Sequence, residues 1–195
     1  FSESIILLNV RSLNSHFQDI CKLIADRKID VVCLTETKTN VYDKFHIDRY
    51  SVFNCVSTRG CAIYSSKKVL HHFSYVAHIE TISIIIDYSL IICVYIPQTA
   101  WGKVEEYFNN MLYECTVCLK EKFSLNKITF LGDFNPSGFF EKLITLFAKY
   151  GLHQHVTVPT HQDGGILDLV FTNYQCPTIF TIPVFFSDHC LVGVV

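Results

Sequence analysis

Apolar runs of strand length recur along this chain, and they constrain its fold more than any other feature. They lie near 4–10, 29–34, 50–53, 61–65, 81–87, 90–96, 127–131, 156, 167–171 and 191–195. Three further segments repeat apolar residues every three or four positions, which predicts helices at about 14–24, 103–120 and 137–150. Because strands outnumber helices and many are consecutive, we expect an α/β protein with two packed mixed β-sheets and helices on their outer faces.

Two local signals predict backbone geometry. Tyr88 and Ser89 lie between the runs at 81–87 and 90–96, and they are typical of the tight turn of a β-hairpin. Pro136 directly follows Asn135. Since a proline disfavours helical dihedrals in the residue before it, Asn135 is expected to be extended.

Composition narrows the class of protein. Hydrophobic residues make up 50% of the 195 positions and charged residues only 17%, which argues against disorder. The net charge is −2 without a basic tail, so any DNA-binding surface has to be local. No apolar run reaches about 18 residues, and no membrane span is predicted. The length fits one domain, 1–195, which we expect to be excised from a longer polyprotein because it starts without Met.

The nine cysteines predict packing rather than disulfides. They are odd in number, scattered, and mostly embedded in apolar runs. Cysteine acts as a small hydrophobic residue in such places, and free thiols are typical of a reducing compartment.

Polar residues lie within or at the ends of the strand-like runs. They are Asn9, Glu36, Tyr95, Asp133, Asn135, Asp168, Asp188 and His189. Charged groups are seldom buried singly, so this set indicates a shared cleft. An acidic residue with an amide two positions on, together with a distant Asp-His pair, suits metal-assisted attack on phosphate. Carboxylates hold the cation, while amide and imidazole meet the charge on the phosphoryl oxygens.

Seven short motifs follow one another in the order of a known family. They are Asn9-Val10-Arg11-Ser12-Leu13, Leu34-Thr35-Glu36-Thr37, Val94-Tyr95-Ile96-Pro97, Gly132-Asp133-Phe134-Asn135, Pro159-Thr160-His161, Ile166-Leu167-Asp168-Leu169-Val170 and Ser187-Asp188-His189. With these motifs the chain resembles the endonuclease/exonuclease/phosphatase superfamily. The first motif and the stretch 167–173 make it most similar to the apurinic-like endonuclease domain of non-LTR (LINE-type) retrotransposons.

The resemblance implies a DNase I-like, four-layer α/β sandwich that hydrolyses a DNA phosphodiester with Mg²⁺ or Mn²⁺. Glu36 would be the principal metal ligand, helped by Asn9 and Asp188. A hard cation such as Mg²⁺ prefers oxygen ligands and keeps several waters, so few protein carboxylates are needed.

The resemblance also implies a role for each catalytic residue. Asp133 would orient and deprotonate the attacking water, and Asn135 would hold the phosphate. His189 would stabilise the pentavalent phosphorane or assist the leaving oxygen, and Asp168 would fix its ring. Tyr95 would donate its hydroxyl to a phosphate oxygen.

Four further residues are candidates for binding DNA phosphate. Arg11 and Lys38 lie beside the proposed metal ligands, although isolated basic residues are equally often solvated surface. Thr160 and Ser187 have two equally favoured interpretations. They are either structural hydroxyls at strand ends or, because of their positions in the motifs, hydroxyls that contact phosphate. Trp101 is either a stacking platform or, as we expect, a core residue.

The leading functional hypothesis is an endonuclease that nicks one strand of double-stranded DNA in the nucleus after translation in the cytoplasm. The 3′-hydroxyl would prime reverse transcription by another region of the same polyprotein, and the isolated domain would be a monomer. The alternatives are a phosphomonoesterase of the same superfamily and a catalytically inactive nucleic-acid-binding module.

The loop 161–165 contains Asp-Gly-Gly, which is typical of a hairpin turn. The loop is either a DNA-targeting element or a solvent turn.

Overall fold

The computed structural model describes residues 3–25, 27–40, 45–175 and 177–195, and their strands form two six-stranded sheets. The strands are β1 Ile5–Asn9, β2 Val31–Thr35, β3 Ser51–Cys55, β4 Cys61–Ser65, β5 His71–Val76, β6 Glu80–Ile86, β7 Ser89–Tyr95, β8 Lys127–Asp133, β9 His153–Gln154, β10 Asp168–Thr172, β11 Ile179–Ile182 and β12 Leu191–Val194. Sheet A has the order β11-β12-β1-β2-β4-β3, and sheet B has the order β5-β6-β7-β8-β10-β9.

The helices are α1 Leu13–Ala25, α2 Trp101–Tyr113, α3 Lys120–Phe123 and α4 Phe140–Ala148. A 3₁₀ turn, Gln98–Ala100, precedes α2, and a π-helical segment, Glu114–Leu119, joins α2 to α3. Each long helix buries one stripe of side chains: α2, for example, buries Val104, Phe108 and Leu112 at the three-and-four spacing that the sequence shows.

Three apolar layers hold the fold together: one lies between the two sheets, and one lies between each sheet and the helices on its outer face. Between the sheets lie residues such as Leu7, Cys33, Ile84, Ile91 and Leu131. The outer face of sheet B packs against α2 and α4, and the outer face of sheet A packs against α1. This arrangement confirms the prediction of two packed mixed sheets flanked by helices.

Parallel pairing brings the polar strand ends to one edge. In sheet A, β1 and β2 are parallel and Asn9 pairs with Thr35, so Asn9 lies beside Glu36. In sheet B, β7 and β8 are parallel and Tyr95 pairs with Asp133. The antiparallel pair β8 and β10 places Asp168 opposite Asp133. The strand register therefore brings Asn9, Tyr95, Asp133 and Asp168 to this edge, and Glu36 follows directly after β2.

Several predicted boundaries differ from the structure. The turn between β6 and β7 is Asp87–Tyr88, one residue before the predicted position, because Ile86 pairs with Ser89. The strand expected around Val156 is the two-residue β9, and Val156 itself is a buried loop residue. The strands β5 and β11 were not predicted, since neither contains a fully buried residue.

Two other predictions concern membrane spans and disulfides. Within the described residues, no helix is both long enough and apolar enough to cross a bilayer. The eight cysteines of the described part of the chain are all free, in agreement with the packing role expected of them. Cys176 lies outside the described residues.

Candidate active site

A cleft of about 610 Å³ opens over the strand ends, between the two sheets. Seven of the twelve predicted site residues line it: Arg11, Glu36, Tyr95, Asp133, Asn135, Asp188 and His189. Four others are buried beside the lining and hydrogen-bond within the site: Asn9, Thr160, Asp168 and Ser187. Lys38 contacts Glu36 from the rim. The structure thus brings the predicted residues together, while their chemical roles remain predictions.

Asp133 lies at the centre of a hydrogen-bonded group. The side-chain amide of Asn9 donates to Asp133 Oδ2 at 2.9 Å and to Glu36 Oε1 at 3.3 Å. The hydroxyl of Tyr95 donates to the same Glu36 oxygen at 3.4 Å. Asn9 therefore links the strand ends of the two sheets, and it turns the carboxylates of Asp133 and Glu36 toward one another.

Asp168 and His189 form a buried pair on the other side of Asp133. His189 Nδ1 lies 2.7 Å from Asp168 Oδ2, and His189 Nε2 lies 3.9 Å from Asp133 Oδ2. Since Asp168 accepts the proton on Nδ1, the second ring nitrogen faces Asp133 and the cleft. An imidazole held in this way can stabilise negative charge that develops beside Asp133.

Thr160 and Ser187 hydrogen-bond to the backbone of the site. Thr160 is buried, and its hydroxyl accepts the amide hydrogens of Leu167 and Asp168, both at 3.0 Å. The hydroxyl of Ser187 donates to the Asn9 carbonyl at 2.7 Å and accepts the His189 amide hydrogen at 3.1 Å. Both hydroxyls therefore fix the backbone beside Asn9, Asp168 and His189, and phosphate contact by either one stays a prediction.

Three cationic side chains lie against the carboxylates of Glu36 and Asp188. The guanidinium of Arg11 pairs with Asp188. Lys38 Nζ and Arg59 Nη1 lie 3.3 Å and 3.2 Å from the same oxygen, Glu36 Oε2. All three side chains are partly exposed, so each can also reach a phosphate at the cleft. Basic side chains are therefore present at the cleft although the net charge of the whole chain is −2.

Arg59 and His161 were missed as functional candidates. Arg59 approaches Glu36 because the β3–β4 turn pairs with the chain after β2, where the Lys38 amide donates to the Arg59 carbonyl at 2.6 Å. His161 lines the cleft, and its Nε2 lies 3.4 Å from Asp188 Oδ2. The available signal for His161 was its place in the Pro159-Thr160-His161 motif, whereas no local signal marked Arg59.

Backbone strain is concentrated in the site. In the described chain, seven non-glycine residues have positive φ, and four of them are predicted site residues. They are Arg11, Glu36, Lys38 and Asn135, with φ values of 56°, 50°, 51° and 42°. Such conformations are uncommon for these residue types and cluster where the surrounding structure imposes them for function.

The extended geometry expected for Asn135 is wrong, because its φ is 42°. Three contacts hold it there despite Pro136. Its backbone amide donates to Asp133 Oδ1 at 3.2 Å, and its side-chain amide donates to the Ile96 carbonyl at 2.9 Å. The buried indole of Trp101 donates to the Asn135 carbonyl at 2.7 Å, which confirms Trp101 as a core residue.

The electrostatic environment raises the pKa values of both Asp133 and His189. Burial and the nearby Asp168 carboxylate raise the pKa of Asp133 to about 8. Burial acts to lower the pKa of His189, but its hydrogen bond to Asp168 and the charge of that carboxylate outweigh burial and raise it to about 9. His189 is therefore mainly cationic at neutral pH, which suits a group that meets developing negative charge.

The sequence profile of the endonuclease/exonuclease/phosphatase family matches residues 6–189 of this chain. The chain belongs to this family. A search of the curated proteins gives no match.

Solved structures with the same fold include nucleases and a phosphatase. A 3′ phosphatase (NExo) from Neisseria bound to a product DNA hairpin has a TM-score of 0.78 at 16% identity, over 100% of this chain and 99% of that chain. An AP endonuclease from Archaeoglobus fulgidus has a TM-score of 0.76 at 16% identity, over 100% and 99%. The endonuclease domain of TRAS1, a telomere-specific non-LTR retrotransposon, has a TM-score of 0.71 at 15% identity, over 99% and 97%. These similarities confirm the DNase I-like fold.

The donor set of this family member fits a divalent cation. Glu36 and Asp188 line the cleft, and the Asp188 Oδ1 atom is buried without a hydrogen-bond partner among the described residues. Basic side chains form ion pairs with Glu36 and Asp188, and a metal ion can replace them. Carboxylate and amide oxygens are the ligands that Mg²⁺ and Mn²⁺ prefer.

Proposed function

We propose that this protein is a divalent-metal-dependent endonuclease that nicks one strand of double-stranded DNA. The observation that carries the proposal is the pair Asp168–His189 beside Asp133, Asn9 and Glu36 in a single cleft. This arrangement supplies an acceptor for the proton of a nucleophilic water, a donor for the developing charge and oxygen ligands for a cation. Each of the three lowers the barrier to metal-assisted hydrolysis of a phosphodiester.

Asp133 and His189 carry the proton transfers of the proposed reaction. Asp133 takes a proton from the water whose oxygen forms the new bond to phosphorus. The bond from phosphorus to the 3′ oxygen breaks, and His189 or a water beside it supplies the proton that makes the leaving group a 3′-hydroxyl. Asp168 keeps the imidazole oriented while it gives up this proton.

Other residues of the chain bind and orient the phosphate. Asn135 and Tyr95 offer an amide and a hydroxyl at the cleft wall. Arg11, Lys38 and Arg59 offer cations at its rim. Glu36, Asn9 and Asp188 would hold Mg²⁺ or Mn²⁺, which when bound neutralises charge on the phosphoryl oxygens.

We further propose that the product 3′-hydroxyl primes reverse transcription of a retroelement. This part of the proposal is supported by the motif resemblance at 9–13 and 167–173. It implies that the reverse transcriptase region of the same polyprotein is a partner, that the isolated domain is a monomer, and that the protein acts on chromosomal DNA in the nucleus.

The decisive experiment is a nicking assay on supercoiled plasmid with Mg²⁺, beside a panel of phosphate monoesters. We expect the wild-type protein to convert supercoiled plasmid to the open circular form, and we expect a DNA polymerase to extend the nick directly, as a free 3′-hydroxyl allows. Release of phosphate from the monoesters without nicking would assign the phosphomonoesterase function instead. DNA binding without either reaction would assign an inactive binding module.

Matched variants connect the activity with the cleft. Asp133→Ala and His189→Ala should each lower the nicking rate by about 10²–10³, which is the effect of removing a group that acts in the transition state. Asp48→Ala and His78→Ala change exposed residues outside the cleft lining and serve as controls. If either cleft variant folds and keeps more than about a tenth of the wild-type rate, the role assigned to that residue is wrong.

A further inference from the structure

The side chain of His161 is positioned in the cleft without a role in the proposed reaction. It is only 16% exposed, and its ring lies edge-on to that of His189 with centroids 4.9 Å apart. The backbones of His161 and His189 form an isolated antiparallel bridge. The bridge therefore fixes the spacing of the two backbone positions from which the imidazoles project.

His161, Asp188 and His189 together offer metal-ligand geometry. Each contributes one ligand atom, and the three atoms lie within 4.8 Å of one another. Asp188 Oδ2 is paired with Arg11, but Asp188 Oδ1 is buried and has no partner among the described residues. One carboxylate oxygen therefore remains available for a ligand.

Both imidazoles also have a hydrogen-bond partner on Nδ1. His189 Nδ1 lies 2.7 Å from Asp168 Oδ2, and His161 Nδ1 accepts the backbone amide hydrogen of Asp163 at 3.2 Å. A carboxylate behind His189 is the usual outer support of a metal ligand, because it fixes the ring and raises the basicity of the other nitrogen. The backbone amide of Asp163 fixes the ring of His161.

From this geometry we propose that His161, Asp188 and His189 bind a Zn²⁺ ion, and that the bound ion inhibits the nicking reaction. Two imidazoles and one carboxylate with an open position form a donor set that Zn²⁺ favours and Mg²⁺ does not. Zinc would coordinate the His189 nitrogen that the reaction uses. The inhibitory effect rests on the proposed function, whereas the zinc site does not.

Zinc binding is tested by titration of the purified, reduced protein with Zn²⁺ in a calorimeter, and with Co²⁺ as a spectroscopic probe. We expect one site with the visible absorption of nitrogen- and oxygen-ligated Co²⁺. His161→Gln and His161→Ala should weaken it by about tenfold or more, since even loss of an outer supporting residue costs 10–100-fold. His153→Ala replaces an exposed histidine outside the cleft lining and should leave binding unchanged.

Three results would overturn the site. The first is equal zinc affinity in the wild-type and both His161 variants. The second is an intense thiolate-to-cobalt absorption that disappears when the cysteines are alkylated, which would place the ion on sulfur. The third is binding that depends on Asp133 but not on His161, which would place the ion in the neighbouring group formed by Asp133, Asp168 and His189.

Inhibition is measured in a separate nicking assay with Mg²⁺. The quantity compared is the Zn²⁺ concentration that halves the nicking rate of each protein relative to the same protein without Zn²⁺. We expect His161→Gln to raise that concentration by about tenfold or more relative to the wild-type and to His153→Ala. Equal sensitivity in all three would refute inhibition through this site. If the protein nicks no DNA but binds zinc through His161, the proposed function fails and the zinc site stands.

Discussion

One oxygen of the Asp168 carboxylate binds Nδ1 of His189 at 2.7 Å, and the other oxygen is buried without a hydrogen-bond partner among the described residues. The carboxylate therefore directs its charge at a single partner. Asp168 also pairs with Asp133 across β8 and β10, so the backbone of one sheet carries both carboxylates that surround the imidazole. His189 is consequently held between an orienting group and a proposed base.

Asp168→Asn should lower kcat for plasmid nicking by about 10² or more and change KM little. The amide removes the negative charge that stabilises the imidazolium, and its NH₂ group can hold the ring in the wrong tautomer. Single-turnover and steady-state nicking assays separate the two constants. Asp48→Asn makes the same chemical change at an exposed position and serves as the control. A variant that folds normally and keeps its kcat would show that Asp168 does not position His189.

Glu36→Gln should raise the Mg²⁺ concentration needed for half-maximal nicking by about tenfold or more. The change removes a ligand charge with little change in volume, so excess metal should restore part of the activity. A metal titration of the nicking rate measures the shift, and Glu106→Gln on the exposed face of α2 is the control. Full wild-type activity in EDTA would exclude the metal mechanism altogether.

Gly132→Ala should destabilise the protein by more than about 3 kcal/mol, because a methyl group at this position has no space. A Cβ on Gly132 would overlap the carbonyl of Val94 on β7 and lie 2.7 Å from its backbone nitrogen. Gly132 immediately precedes Asp133, so the close contact between β7 and β8 also positions the proposed base.

Gly102 is the matched control, since nothing lies within 4 Å of a Cβ added there. It is in α2, where alanine is favoured over glycine, so Gly102→Ala should stabilise the protein by about 0.5–1 kcal/mol. Urea denaturation of both variants gives the two free energies of unfolding. A Gly132→Ala protein as stable as the wild-type would mean that β7 and β8 are farther apart than the structure places them.

The sequence predicted the fold and the central carboxylates because both depend on short-range patterns. Strand-length apolar runs marked the sheets, and polar residues at their ends marked the edge where parallel strands finish. Asn9 and Glu36 could thus be expected near each other from strand order alone. The edge strand β5 was missed because its residues are all exposed and carry no burial pattern.

The remaining site residues could not be predicted because long-range pairing places them. Arg59 contacts Glu36 only after the β3–β4 turn hydrogen-bonds to the chain following β2. The positive φ of Asn135 likewise depends on Ile96 and Trp101, which lie far from it in sequence. The steric effect of Pro136 on the residue before it is too weak to outweigh several such hydrogen bonds.

The loop 161–165 gives the final prediction, which concerns the choice of nicking site. The loop closes tightly: the amide of Gly164, whose φ is +84°, donates to the His161 carbonyl at 3.0 Å. Asp163 and Gly165 line the cleft, and the Asp163 side chain is 91% exposed. With one acidic and no fixed basic group, the loop should respond to DNA shape more than to base edges, and nicks should favour flexible pyrimidine–purine steps.

The combined variant Gln162→Lys, Asp163→Asn and Gly165→Ser retains His161 and the glycine that the turn requires. It should redistribute nick positions on end-labelled DNA and keep total nicking within about twofold, because phosphate contacts position a protein while groove contacts choose the sequence. The pair Asp87→Asn and Tyr88→Lys makes the same +2 change in the exposed β6–β7 turn and should leave the pattern unchanged. An identical cleavage pattern for the loop variant and the wild-type would leave 161–165 as a solvent turn without a targeting role.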